Sequence, residues 1–448
     1  MKAHTRKILD KSFTGMGFMS VILLTLSLVI VLGPIFVRGI QAFLFFDTVE
    51  YRRMQLDLFD RGDPEEVKAE LDEVWAERRF IYDTIAAFEE QVENEEIENS
   101  WEYPEKIDSL NDSLKALFGP RPDEPEPVLP RDRYGETRWD RAQQTFKLVM
   151  YKEQWDYSDP SAMGSKVLVP RIDSFRGTTV EQIFPYMEEN LEKLMLPEFT
   201  FYWQFLTDKS HDIHFFGGIG AEVLGTFYLV IGTMLFAIPI GVIAAIYLAE
   251  FAKEGKIVSL LRTAISTLAG VPSIVFGLFG LAFFINTMEV SQSKSVLAGS
   301  LTLTLLVLPT IIRAAEEAIL AVPKAYKEAS LSLGASKLYT ILKVILPAAM
   351  PGILTGIVIS MGRAAGETAP IIFTAAVSVG QPLGLFETLN QPTMALPWNI
   401  YNLVTEHEAV DQIRHVQFGM VFTLVLLVVV LNFAAIVLRA RISKKLRG

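Results

Sequence analysis

Six long apolar runs, at residues 17–37, 223–249, 264–287, 296–312, 352–377 and 416–438, constrain this 448-residue chain more than any other feature. Each is near or above the ~18–20 residues that a helix needs to cross a hydrocarbon core about 30 Å thick. Half of all residues are apolar, but they are gathered into these runs rather than spread with the periodicity of a globular core. The expectation is an all-α membrane protein with six transmembrane helices. The first run exceeds the apolar core of a secretory signal and is followed by Arg38 without a small-residue cleavage site, so it reads as a retained anchor.

Charge orients the spans, because Lys and Arg beside short loops stay in the cytoplasm. One tail carries Lys2, Arg6, Lys7 and Lys11, the other Arg439, Arg441, Lys444, Lys445 and Arg447. Both termini are therefore expected inside, which six crossings allow. The intervening segment 38–215 then lies outside with 39 acidic against 21 basic residues, net −18, although the whole chain is −11. The remainder sums to +7. The domains expected are 1–37 (tail and first helix), 38–215 (acidic, extracytoplasmic, mainly helical) and 216–448 (five further helices). The acidic balance implies no nucleic-acid partner. No cysteine is present, so no disulfide staples the outer segment.

Within that segment, Val67, Leu71, Val74, Ile81, Ile85, Phe88 and Val92 recur at steps near three and four, which predicts a long amphipathic helix. A second is expected over 179–194. Residues 119–130, GPRPDEPEPVLP, hold too many prolines for a helix and read as an extended connector. The acidic segment is either a docking surface for an outer partner or a solvated insertion. A body of net −18 would repel an anion, so anion capture by this segment itself is not expected.

The segment 327–347, KEASLSLGASKLYTILKVILP, places a short charged helix between apolar runs. Pro323 suits a helix start, Gly334 the left-handed residue that ends one, and Ser336 can cap a second helix over 337–345 before Leu346 and Pro347. Glu328, Ala329, Gly334, Leu346 and Pro347 match, in order and spacing, the EAA loop of ABC-importer permeases, which this region (about 314–347) resembles. Ser330 stands where that pattern usually has Ala, and Val344 where it usually has Ile. The resemblance implies that this loop docks in a cleft of a cytoplasmic ATPase and passes its motion to the membrane helices. An ordinary amphipathic cytoplasmic helix is the plain alternative.

The charges of the fifth run carry the sharpest chemistry. In SMGRAAGETAPIIFTA, Arg363 and Glu367 are four residues apart and so share a helical face. With a helix starting near Gly352, Arg363 would lie about halfway through the bilayer. A charge there costs ~2.5–3.5 kcal/mol even on the lenient insertion scale, so such residues face a bundle interior or a watery cavity. A guanidinium fork suits an oxyanion through paired hydrogen bonds, and Glu367 would hold it when no anion is present. A purely structural Arg–Glu pair is the other reading. In the third run, Gly270, Pro272, Gly277 and Gly280 interrupt the helix, either for close packing or for ligand contact.

RAAGETAPIIFTA, with LAGVPSIVFGLFGL before it, resembles the phosphate-specific transport permeases of the A type, PstA, over about 217–438. The resemblance implies a type I ABC-importer permease fold and a subunit of an ATP-driven phosphate importer in the bacterial inner membrane. Its partners would be a homologous C-type permease, two ATP-binding subunits and an extracytoplasmic phosphate-binding protein. Its substrate path would use Arg363, Glu367, Thr368, Pro272 and Ser273, and its ATPase contact Glu328, Ala329, Ser330, Gly334, Leu346 and Pro347. The long outer segment departs from the pattern. No G-x-x-x-x-G-K-[ST] segment, metal-ligand cluster or nucleophile motif occurs, which points to a non-enzymatic subunit, with ATP and Mg held by partners. A permease for sulfate, molybdate or phosphonate, or a receptor with an acidic outer sensor, would share many of these features.

Overall fold

A polar stretch without long apolar runs must bury its own side chains, whereas the apolar runs can leave theirs to lipid; the chain separates along that line. The computed structural model describes residues 3–156, 165–407 and 409–446; Lys2 and Arg447 of the basic tails lie outside them. One unit is Met1–Ala42 with Trp203–Gly448 and the other is Phe43–Tyr202. The second is shorter than the 38–215 segment. Helix α1 (Ala3–Ile40) carries the first apolar run past Val37, and the chain beyond Trp203 bonds into the helical unit, where Ile219 N–H donates to Phe205 O.

The acidic unit contains β1 (Leu44–Asp47), α2 (Val49–Phe59), α3 (Pro64–Glu93), α4 (Pro104–Phe118), α5 (Trp139–Met150), β2 (Tyr151–Asp156), β3 (Ser165–Pro170), α6 (Ile183–Met195) and β4 (Glu198–Phe201). Asp63 caps α3 by accepting from Glu65 N–H at 2.9 Å, and Pro64 fills the first helical position. The stripe on α3 buries Val74, Ile81, Ile85 and Phe88. The last three join Leu110, Leu114, Phe175 and Phe184 in one apolar core. Residue 78 also falls on the stripe, and it is an arginine, 1% exposed. Strands β1 with β4 and β2 with β3 form two antiparallel ribbons.

In the helical unit a two-residue ribbon, β5 (Ser210–His211) with β6 (Phe216–Gly217), makes the turn ahead of α7 (Gly220–Ile246). There follow α8 (Lys256–Leu268), α9 (Ser273–Gly280), α10 (Val296–Leu320), α11 (Lys324–Ser332), α12 (Lys337–Thr340), α13 (Leu346–Gly366), α14 (Ala369–Thr374), α15 (Leu396–Thr405) and α16 (Arg414–Leu446). Five helical stretches, Ser12–Ile40, Gly220–Phe251, Val296–Leu320, Lys337–Gly366 and Arg414–Arg441, are long and apolar enough to cross a bilayer. The pair Lys256–Leu268 and Ser273–Ile285 would supply one more.

Two local expectations are corrected and one is made specific. The third run breaks where Gly270 and Pro272 are expected to interrupt it, bending by 101° between α8 and α9. Pro272 has no N–H to donate and disfavours helical geometry at the residue before it. The fifth run does not stay helical over 352–377. Its helix begins earlier and ends at Gly366, and Glu367 takes an extended conformation. Finally, Leu346 and Pro347 do not follow a separate helix. A π turn at Ile341–Ile345 joins α12 to α13 without a break, so Pro347 lies inside one continuous helical stretch, two residues after the wider turn.

Small residues let the central helices meet. A Cβ on Gly356 would lie 2.3 Å from Ala314 Cβ and one on Gly352 2.6 Å from Ala318 Cβ. Glycine is therefore required for α13 to approach α10 at this distance. Leu306, Val307, Ile311, Ile345, Ile353 and Ile357 fill the surrounding core. Helices α1 and α16 meet where Phe36 and Phe422 pack edge to face at 5.3 Å.

Candidate functional site

The break after Gly366 creates the site's geometry. Arg363 is in the last turn of α13, and Glu367 is the residue that leaves the helix. Arg363 Nε nonetheless donates to Glu367 Oε1 at 3.3 Å. The side chains are 36% and 19% exposed, so neither is sealed in the core. Arg363 is thus near the end of its own helix rather than halfway along it. It is still deep: Gly352 meets Ala318 and Gly356 meets Ala314, and continuing that antiparallel register brings Arg363 level with Val307, near the middle of α10 (Val296–Leu320).

Among the described residues Glu367 is the guanidinium's hydrogen-bond partner, and it takes the Nε side. The Nη1–Nη2 edge is left without one, and this edge can present two parallel N–H groups to a carboxylate or phosphate. Thr368 Oγ1 donates to Pro397 O at 3.4 Å, tying the break to α15. Helix α9 stacks on the same place, since a Cβ on Gly277 would lie 3.0 Å from both Ala369 O and Pro370 Cα. Gly277 and Gly280 therefore serve packing. Pro272 and Ser273 stand at the start of α9, a turn before that contact; the structure brings α9 to the break through Gly277, not through these two residues.

The loop residues divide into two groups. Glu328 and Ala329 are exposed on α11, which buries none of its side chains. Gly334 adopts φ +83°, and Ser336 caps α12 by accepting from Tyr339 N–H at 3.3 Å. Ser330 Oγ lies 2.9 Å from Thr340 Oγ1, which holds the two short helices together. Leu346, by contrast, packs against the helical core. Tyr326, Ala329, Leu333, Gly334, Ser336 and Tyr339 line a shallow groove of about 680 Å³. Glu250, at the end of the second apolar run, was not singled out in the sequence. Its carboxylate pairs with Lys327 and its carbonyl accepts from Lys337 Nζ at 2.6 Å. The loop is therefore tied to α7 as well as to α13.

A second buried cluster also escaped the sequence reading. Glu222, in the first turn of α7, is fully buried, and its Oε1 lies 2.5 Å from His214 Nε2 and 2.9 Å from Asn399 Nδ2. Thr226 Oγ1 accepts from Leu396 N–H at 2.9 Å beside it. The cluster clamps the β5–β6 turn, α7 and α15 together. The sequence signal was a lone carboxylate just ahead of an apolar run.

The comparisons agree with this architecture. The family model described as "Binding-protein-dependent transport system inner membrane component" matches residues 237–448. The probable ABC transporter permease protein YqgI of Bacillus subtilis is 37% identical over 257 residues, which cover 54% of this chain and 85% of that protein. The phosphate transport system permease protein PstA 1 of Mycobacterium tuberculosis is 35% identical, over 52% of this chain and 73% of that one. Among solved structures, a chain of the inward-facing MetNI methionine ABC transporter matches at 21% identity and TM-score 0.36, over 50% of this chain and 94% of that one. The chain belongs to the inner-membrane component family of binding-protein-dependent transport systems, as a permease of the PstA type.

Proposed function

We propose that this chain is the membrane-spanning permease subunit of an ATP-driven phosphate importer. The carrying observation is Arg363, held at the α13–α14 break with one edge on Glu367 and its Nη1–Nη2 edge open. A charge at that depth is costly unless it is used, and an open fork matches a tetrahedral oxyanion. Glu367 keeps the cation neutralised between passages. A protonated phosphate can also donate a hydrogen bond to Glu367, which sulfate cannot.

In this reading six spans leave both termini in the cytoplasm and the acidic unit outside. A homologous C-type permease completes the path, and an extracytoplasmic binding protein delivers phosphate. Two ATP-binding subunits, which hold ATP and Mg, engage Glu328, Ala329 and the groove beside Gly334. Their closure moves α11. The Lys327–Glu250 pair and the continuous helix from Lys337 to Gly366 transmit that motion to α7 and to Arg363, which exchanges outward for inward exposure. Thr368 stands at the break itself, and Pro272 and Ser273 border the path a turn away, at the start of α9.

The test is uptake of radiolabelled phosphate at low concentration by cells lacking the chain and by cells complemented with it. The host must lack any other phosphate importer. Restored uptake that excess sulfate does not reduce is expected. Restoration that sulfate abolishes would assign the permease to another oxyanion, and no restoration would remove the phosphate reading.

A further inference from the structure

The β1–β4 ribbon has one covered face and one bare one. Antiparallel pairing sets Leu44 opposite Phe201 and Phe46 opposite Phe199. Because side chains alternate along a strand, these four share a face. They are 40, 60, 53 and 63% exposed in that order, and the Phe46 and Phe199 rings meet edge to face at 5.7 Å. The other face carries Phe45 and Asp47, both buried, the half-buried Thr200 and, at the ribbon's end, the exposed Glu198. The bare face therefore presents one leucine and three phenylalanines, with no polar side chain among them.

Chain continuity indicates what covers it. Leu44 follows Ile40, the end of the membrane-crossing stretch Ser12–Ile40, by four residues. Four extended residues reach at most about 14 Å. The paired strand ends at Phe201, and two residues on stands Trp203, itself 54% exposed. An apolar face this close in sequence to a membrane span is within reach of the zone where aromatic side chains concentrate, between headgroups and acyl chains. The segment that holds the ribbon carries net −18, so anionic headgroups offer it no attraction and apolar contact is the attraction the ribbon itself can supply.

We propose that the Leu44, Phe46, Phe199 and Phe201 face is an interfacial anchor, seated in the headgroup–acyl boundary of the bilayer. This inference does not depend on which substrate the permease carries.

The absence of native cysteine makes the test clean. Phe46→Cys and Phe199→Cys, on separate strands, are labelled with a nitroxide in the full chain in lipid nanodiscs. The exposed position Lys68→Cys serves as the aqueous reference. Accessibility to oxygen, which partitions into lipid, is compared with accessibility to a water-soluble nickel chelate. An oxygen-to-nickel ratio several-fold above the reference at both ribbon positions is expected. A ratio equal to the reference would overturn the proposal by leaving the face in water. Exclusion of both reagents would also overturn it, in favour of a protein partner on that face.

Discussion

Two Arg–Glu pairs, one in each unit, use the same chemistry in opposite ways. In the acidic unit Arg78 Nη1 lies 3.0 Å from Glu50 Oε1, and both side chains are 1% exposed. The other contacts of Arg78 are saturated as well: Nε and Nη2 donate to Leu194 O at 3.0 and 2.8 Å, Nη1 to Phe118 O at 3.1 Å, and the guanidinium stands 4.4 Å from the Phe118 ring centre. Arg363 makes one bond of 3.3 Å to Glu367 and is 36% exposed. A saturated, sealed guanidinium has nothing to offer a ligand and acts as a structural rivet. A singly bonded, partly exposed one in the last turn of a helix retains its binding capacity. The difference is one of supply: the acidic unit surrounds its charge with carbonyls from α4 and α6, whereas the α13–α14 break provides one carboxylate.

The largest effect that tests this contrast is on the acidic unit. Arg78→Ala leaves the buried Glu50 only the looser pair with Arg53 at 3.7 Å and is expected to cost about 3–5 kcal/mol, read as loss of protease resistance of that unit in the membrane-embedded chain. Replacing both partners, Arg78→Met with Glu50→Leu, should recover only the part due to the stranded carboxylate, because the Leu194 and Phe118 carbonyls still lose their donors. If the double variant is as fragile as the single one, the carbonyls rather than Glu50 set the cost.

Next is a pH effect in the same unit. Burial raises the Asp47 carboxyl to about 6 from 3.8, with bonds from Thr200 and Arg52 only partly opposing it. A folded-state value above the unfolded one means that this group's stabilisation is complete below about pH 4 and is lost as pH rises through 6. The slope between those limits is at most about 1.4 kcal/mol per pH unit. Hydrogen-exchange protection of the β1–β4 amides, corrected for intrinsic rates, should therefore fall across that window in the parent. It should lose this dependence in Asp47→Asn.

The smallest of these effects lies in the helical unit, where packing rather than charge satisfaction sets the structure. Gly356→Leu forces α13 off α10, since even a Cβ there would be 2.3 Å from Ala314 Cβ. An overpacking cost of about 1–3 kcal/mol is expected, visible as a lower thermal midpoint in nanodiscs. No change in midpoint would mean that the two helices do not interlock as described.

What the sequence made legible follows from range. Apolar runs located the membrane-crossing helices because lipid imposes a length on each segment alone. Gly334 and Ser336 marked the ends of α11 and α12 because caps are local. Arg363 and Glu367 were read as partners, and they meet, although the helix ends between them. The 101° bend was legible as Gly270 and Pro272 but not as an angle, because a proline marks where a helix is weak and its neighbours decide how far it turns. Arg78 could have been flagged, since it sits on the apolar stripe between Val74 and Ile81. Glu222 could have been noted as a lone carboxylate ahead of an apolar run, but its partner Asn399 could not, because that residue comes from 177 residues away in sequence.

The central claim is that Arg363 binds the transported anion while Arg78 holds structure. The most direct measurement is phosphate uptake by Arg363→Ala and Arg363→Lys, normalised to the amount of each chain in the membrane. The account predicts normal abundance for both, no uptake for Arg363→Ala, and partial uptake for Arg363→Lys, which keeps the charge and loses the fork. Normal uptake by Arg363→Ala would contradict it, and so would full recovery by lysine, which would reduce the arginine to a point charge.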